Sequence, residues 1–186
     1  VLDGGQVIGA GALRGLGDGS YRGEFVAAIK ADFDLGGVLP LDFRRYYSSR
    51  IASEGNNTST LGPGWLHNYS WKLESTGNNV EVATDTGRVL RFERDFQATD
   101  WSLALVDDIP YQLIENVSVF TLADPLDGVR RTFDSNGRLT SVSDGRGNAH
   151  TLTYSGGLLT NITDGLGRTL TFTHTSGRLT AVSDGT

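Results

Sequence analysis

Three stretches decide how this chain is read: GRLTSVSDG at 137–145, GLLTNITDG at 157–165 and GRLTAVSDG at 177–185. They start at Gly137, Gly157 and Gly177, a step of 20 residues. Within each stretch the apolar positions superpose: Leu139, Leu159 and Leu179, then Val142, Ile162 and Val182. Asp144-Gly145, Asp164-Gly165 and Asp184-Gly185 follow. Asp before Gly is turn chemistry, because the carboxylate bonds its own backbone while Gly accepts conformations closed to other residues. The second strand of each unit carries Leu152 or Phe172, followed by Tyr154 or His174 at the equivalent place. Two turns and two short strands make one unit a β-hairpin. A lone hairpin is marginal in water, so such units must stack to bury their apolar faces.

Working outward, composition agrees with an all-β chain. Of 186 residues 25 are Gly, none is Cys or Met, and the hydrophobic share is 38%. Turn formers and strand formers therefore outweigh helix formers. The absence of Cys excludes disulfides, thiol catalysis and thiolate metal sites. A net charge of −6 argues against nucleic acid and anionic membranes, which select clustered Lys and Arg. Lys30 and Lys72 are the only lysines, so nearly all cations are Arg. No stretch approaches the length of a membrane span. The repeat breaks off at Thr186 and the chain does not open with Met, so a piece of a longer chain is expected.

Residues 1–24 are Gly-rich and weakly patterned, and form a lead segment. From Phe25 an alternation through Ala27, Ile29, Ala31 and Phe33 predicts a strand. Leu39, Leu41 and Phe43 fall on one face of a second strand, with Pro40 at its start. Residues 50–65 read as loop by composition. A strand follows with Tyr69, Trp71 and Leu73 on one side. Val80, Val82, a turn over Asp85 to Gly87, and Val89 to Phe92 predict a hairpin. Alternation continues through Leu103, Leu105, Leu113, Val117 and Val119, with another hairpin turn at Asp127-Gly128. The domain reading is a lead segment over 1–24, a β module over 25–121 and repeats over 122–186.

Two segments carry a family resemblance. DFDLGGVLPLDFRRYYSSR…LGPGWLHNYSWKLE, from Asp32 to Glu74, resembles the module that precedes the repeats in Rhs/YD-repeat proteins. LADPLDGVRRTFDSNGRLTSVSDGRGNAHTLTYS, from Leu122 to Ser155, resembles that family's first repeats. The family includes bacterial Rhs toxin shells, the C subunits of Tc toxins, and teneurins. The Tyr-Asp pair that names the repeat is degenerate here: Phe133-Asp134, Tyr154-Ser155 and His174-Thr175. The resemblance implies antiparallel hairpins forming a sheet that spirals into a hollow shell around cargo such as a C-terminal toxin. It implies no catalytic residue, because the late cleavage region of some members has no counterpart in these residues.

Candidate chemistry is sparse. His67, His150 and His174 come without metal-ligand spacing or a carboxylate cluster, and His67 in GWLHNYS reads as a packing or backbone-bonding residue. The glycines of GAGALRG (Gly9–Gly15) lack a surrounding βαβ unit. Asp32 and Asp34 flank Phe33 and read as solvent-facing. Asp144, Asp164 and Asp184 read as turn residues, the carboxylates being too few for a calcium solenoid. The sequons at Asn56, Asn68 and Asn161 arise readily in Thr/Ser-rich sequence. Phe25, Phe33, Phe43, Tyr46, Tyr47, Trp65 and Trp71 would serve either as a sugar platform or as a core, and the core is the expected role. Arg44, Arg45, Tyr46 and Tyr47 form a possible partner face.

The leading expectation is a non-enzymatic wall segment of a shell, without cofactor or metal, secreted or at the cell surface. Its partners would be the remainder of a longer chain or identical subunits paired along β-edges, with no nucleic acid. A filament built through open edges and a surface carbohydrate-binding module are the two other readings.

Overall fold

The computed structural model describes residues 31–54, 59–104 and 110–185, and over these the chain is almost entirely antiparallel β-sheet. The lead segment 1–24, with its Gly9–Gly15 motif, lies outside the described residues, as do Phe25, Ala27, Ile29, Asn56 and Leu105. Three strands form a lead-in sheet: β1 (Ala31–Asp34), β2 (Asp42–Tyr47) and β3 (Trp65–His67). Four form a second sheet: β4 (Lys72–Thr76), β5 (Asn79–Ala83), β6 (Val89–Glu93) and β7 (Ser102–Leu103).

Eight strands form the third sheet. They are β8 (Gln112–Asn116), β9 (Val119–Ala123), β10 (Arg130–Phe133) and β11 (Leu139–Ser143), then β12 (Ala149–Ser155), β13 (Leu158–Thr163), β14 (Thr169–Thr175) and β15 (Arg178–Ser183). Within the second and third sheets every spatial neighbour is also the neighbour in sequence. One meander therefore runs from β4 to β15, interrupted between β7 and β8. Arg94 and Glu115 bridge that interruption at 2.8 Å, with Arg94 lying 4.4 Å over the Trp101 ring.

One face of the meander is apolar. Val80, Val82, Leu90, Phe92, Leu122, Phe133, Leu139, Ile162 and Leu170 are all essentially inaccessible, and they join Leu41, Phe43, Tyr69 and Trp71 in a single core. The predicted hairpin over Val80 to Phe92 forms as read, with Val82 opposite Leu90.

The 20-residue unit contains a device that its spacing hints at. Leu139 and Val142 stand three apart and yet are both buried, which a regular strand forbids. The register slips at this point. Thr132 pairs with Ser141 and Phe133 with Leu139, leaving Thr140 as a bulge. The slip recurs at Thr160 and Thr180. Each bulged Thr donates its hydroxyl to a carbonyl of the preceding strand, at Thr132, Thr153 and Thr173, over 3.0–3.1 Å. A bulge bends its strand and increases local twist, so each hairpin turns the sheet further.

Several expectations are corrected. The strand read across Tyr69, Trp71 and Leu73 is broken. β3 ends at His67, a corner follows, and β4 starts at Lys72, although all three side chains are buried. Residues 50–65 are not all loop, because α1 (Ser49–Glu54) stands there. Ser48 caps it by accepting the Ile51 N–H at 3.2 Å, while Ile51 turns into the interior. Leu39 lies in the β1–β2 turn, half-buried, rather than on a strand face with Leu41 and Phe43. Val117 and Val119 do not continue the inward face. Val117 is 90% exposed in a two-residue turn with φ 47°, and Val119 points outward. Turn geometry has overridden the alternation there.

Candidate functional site: a hollow between the lead-in sheet and the hairpins

The lead-in sheet is docked onto the late hairpins by contacts between polar side chains and backbone. The Arg168 guanidinium, in the β13–β14 turn, donates to the carbonyls of Leu35 and, at 3.1 Å, of Gly36. His150 on β12 places Nε2 3.3 Å from the Leu39 carbonyl and Nδ1 3.5 Å from the Tyr69 hydroxyl. Leu179 N–H donates to the Thr60 carbonyl at 3.0 Å. Packing joins these bonds: the Phe43 and Phe172 rings meet edge to face at 5.6 Å, and His67 lies 6.1 Å from Phe172. Asn68 fixes the corner after β3, donating to the Asp42 carbonyl and accepting the Arg44 N–H, both at 3.1 Å.

Between these parts lies a hollow of about 490 Å3. That falls within the range of small-molecule sites, about 300–1,000 Å3. His67, Tyr69 and Trp71 line one side, and Tyr154, Phe172 and His174 the other. Lys72 and Glu74, paired at 2.7 Å, stand at its edge with Arg138. Burial pushes His67 down to about 4, with His174 adding to the effect, so its imidazole is neutral. Nδ1 accepts the Tyr69 N–H at 3.2 Å, which leaves the proton on Nε2. Burial likewise raises the Tyr69 hydroxyl and takes that of Tyr154 to about 12. Tyr154 donates to the Leu139 carbonyl at 2.7 Å. The hollow thus has aromatic walls, and the neutral hydroxyls of Tyr69 and Tyr154 are engaged with His150 and the Leu139 carbonyl. Among the described residues no group of three His, Asp or Glu could hold a metal ion, and no helix is long and apolar enough to cross a membrane.

The turn residues fall on the two rims of the hairpin sheet. Asp144 and Asp164 each open a five-residue turn in which one carboxylate oxygen accepts two N–H groups: those of Arg146 and Asn148, and those of Leu166 and Arg168. Asp134 does the same with Asn136 and Arg138, and the Thr84 hydroxyl oxygen accepts the N–H groups of Thr86 and Arg88. Gly145 and Gly165 sit second in these turns, and Asp184-Gly185 follows β15. Gly157 and Gly177 lie in the tight turns of the opposite rim. Gly137 does more, since its carbonyl accepts the Leu73 N–H of β4 at 2.9 Å, and Lys72 bridges to Arg138.

The proposed partner-face residues are engaged within the lead-in sheet. Arg45 pairs with Asp32 at 2.6 Å and lies 5.5 Å over Trp65, Arg44 pairs with Asp42 at 2.7 Å, and Tyr47 packs on Trp65 at 5.1 Å. Tyr46 is half-buried. Asp34 accepts the Gly36 N–H, and Phe43 and Trp71 are core. His174 pairs across the bulge with Leu179 as Tyr154 does with Leu159, so the two occupy equivalent places.

Sequence reasoning missed three features. The turn step reaches back beyond the repeats, since Thr84, Asp124, Asp144, Asp164 and Asp184 share one 20-residue grid with Ala104 at the remaining node. That signal was present but masked by Thr standing in for Asp. Arg131 was also missed. It stacks 4.0 Å over buried Trp71, and its Nη1 and the Trp71 indole N–H are both without a hydrogen-bond partner. The threonine bulges are the third.

No curated protein matches the chain. Its residues 21–92, reaching through β1 to Phe92 of β6, match a family described as a domain of unknown function, DUF6531.

Proposed function

We propose that the chain is a non-enzymatic wall segment of an Rhs/YD-repeat β-shell, and that the lead-in sheet plugs the start of the wall. One observation carries the reading. The meander returns on itself, with β4 at its beginning bonded to the β10–β11 turn through Leu73 and Gly137. A flat sheet could not make that contact. Bulges at Thr140, Thr160 and Thr180 supply bending at each repeat, so continued repeats would wind a hollow wall with its apolar residues inside. The resemblance stated above adds cargo such as a toxin, and an exported or cell-surface setting.

The test is limited proteolysis of the natural polypeptide that contains this segment. The shell reading expects a fragment outside the repeats to survive protease until the wall is unfolded. Immediate digestion of everything outside the repeats would overturn it.

A further inference from the structure

We propose that His67, Tyr69 and His150 form an acid-sensitive latch between the lead-in sheet and the hairpin sheet. Tyr69 is the common member: its backbone N–H donates to His67 Nδ1 at 3.2 Å, and its hydroxyl faces His150 Nδ1 at 3.5 Å. The far nitrogen of His150 faces the Leu39 carbonyl, which can only accept, so Nε2 carries the proton and Nδ1 is bare. The Tyr69 N–H, the Tyr69 hydroxyl and the His150 Nε2–H then all meet acceptors only while both rings are neutral. A proton on His67 Nδ1 would set donor against donor at the Tyr69 N–H. A proton on His150 Nδ1 would reverse the Tyr69 hydroxyl. Both rings sit where the two sheets meet, His67 against Phe172 of β14 and His150 against the β1–β2 turn.

The surroundings favour the neutral forms. Around His67 pack Phe43, Tyr69 and Phe172, and the ionisable neighbour is His174, whose charge would oppose a second. Burial lowers His150 as well. Asp164 and Asp42 pull it the other way and Arg168 opposes them, but burial prevails. A histidine whose folded value lies below its unfolded value of 6.5 stabilises the closed form fully above that pH and progressively less as pH falls. For His67 the window runs from 6.5 down to about 4.

The hairpin turns respond differently. Burial would raise Asp134 and Asp164, but hydrogen bonds from Arg138 and Arg168 and from nearby N–H groups hold both below the usual carboxylate range. Asp144 is lowered first by Asn148. These carboxylates stay ionised through the window in which the histidines charge. Acid therefore releases the lead-in sheet before it melts the hairpins. The latch is independent of whatever the wall encloses.

Hydrogen exchange on residues 1–186, followed from about pH 7 to about pH 4.5 and corrected for intrinsic rates, tests it. Amides of β2 and β3 should lose protection on the order of 100-fold while β9 to β11 keep theirs. Uniform loss across all strands, or no loss, overturns the latch. In the double variant His67→Asn, His150→Gln, the amides keep the acceptor for Tyr69 and the donor for Leu39 without titrating. That variant should lose the acid response, and an unchanged response overturns the proposal. Should the variant fail to fold, the wild-type histidine signals decide. Folded-state titration of His67 and His150 near 6.5 overturns the latch, and titration well below supports it.

Discussion

From β4 to β7, and again from β8 to β15, each strand pairs with the strand next to it in the chain, and the residues between them specify the turn. The lead-in sheet is held quite differently. Asn68 reaches back 24 residues to Arg44, His150 spans 111 residues to Leu39, and Arg168 spans 132 to Gly36. In the meander a short code of Asp, Gly and alternating apolar residues suffices, because loop closure is short and each contact is local. In the lead-in sheet the contacts of His150 and Arg168 exist only once the hairpins are folded. The two regions also bury polar groups differently. The hairpin turns keep theirs at the rims, while His67 of β3 and His150 of β12 are buried where the two sheets meet.

The largest effect expected from this contrast is at Gly137. A Cβ there would stand 1.7 Å from the Leu73 carbonyl oxygen, and φ is already +73°. Gly137→Val should cost about 3 kcal/mol or more and free the β4 edge, read by denaturant unfolding and by exchange of the Leu73 amide. Gly157→Ala is the matched control. Its φ is +82° but nothing lies within 4 Å of the added Cβ, so about 1 kcal/mol is expected from backbone strain alone. Equal costs would mean that the contact between β4 and the β10–β11 turn contributes nothing.

Next comes Asp164, whose carboxylate accepts from Leu166, from Arg168 N–H and from the Arg168 guanidinium. Asp164→Ala removes the hairpin turn and the support of the arginine that reaches Leu35 and Gly36. A loss of about 2 kcal/mol is expected, with loosening of β1 and β2 in hydrogen exchange. Asp144→Ala touches its own turn, since among the described residues the hydrogen bonds of the Asn148 side chain go to Asp144 alone. It should destabilise less and leave β1 and β2 protected.

The smallest effect has the opposite sign. Val117 and Ser118 occupy a two-residue turn with φ of 47° and 63°, where Asn-Gly is the favoured pair. Val117→Asn with Ser118→Gly should stabilise the chain by about 1 kcal/mol in thermal unfolding. Unchanged stability would show that this hairpin opens independently of the rest.

How far the molecule was legible follows the same division. The turns at Asp144 and Asp164, the inward faces of Leu139, Ile162 and Phe172, and the hairpin of Val80 to Phe92 were open to reading because they rest on near neighbours. The three-residue gap between Leu139 and Val142 was legible as a number but not as a bulge, since only cross-strand register shows which residue is left over. The long strand through Tyr69 to Leu73 misled because burial, not strand geometry, set its period. Val117 misled because a turn can hold an apolar residue outward against the pattern. The scarcity of Lys also has a physical reading: Arg45, Arg94, Arg131 and Arg138 all lie over aromatic rings, a role that suits the planar guanidinium.

By itself, then, the sequence determined the all-β class, the 20-residue hairpin and the chemistry of its turns, because each depends on a few adjacent residues. Only the tertiary structure decided that β4 returns to Gly137, that Arg168 and His150 clasp the lead-in sheet, and that His67 is buried without charge. Those features depend on residues brought together across more than sixty positions by the accumulated bend of the hairpins, and no local pattern records the sum of that bend.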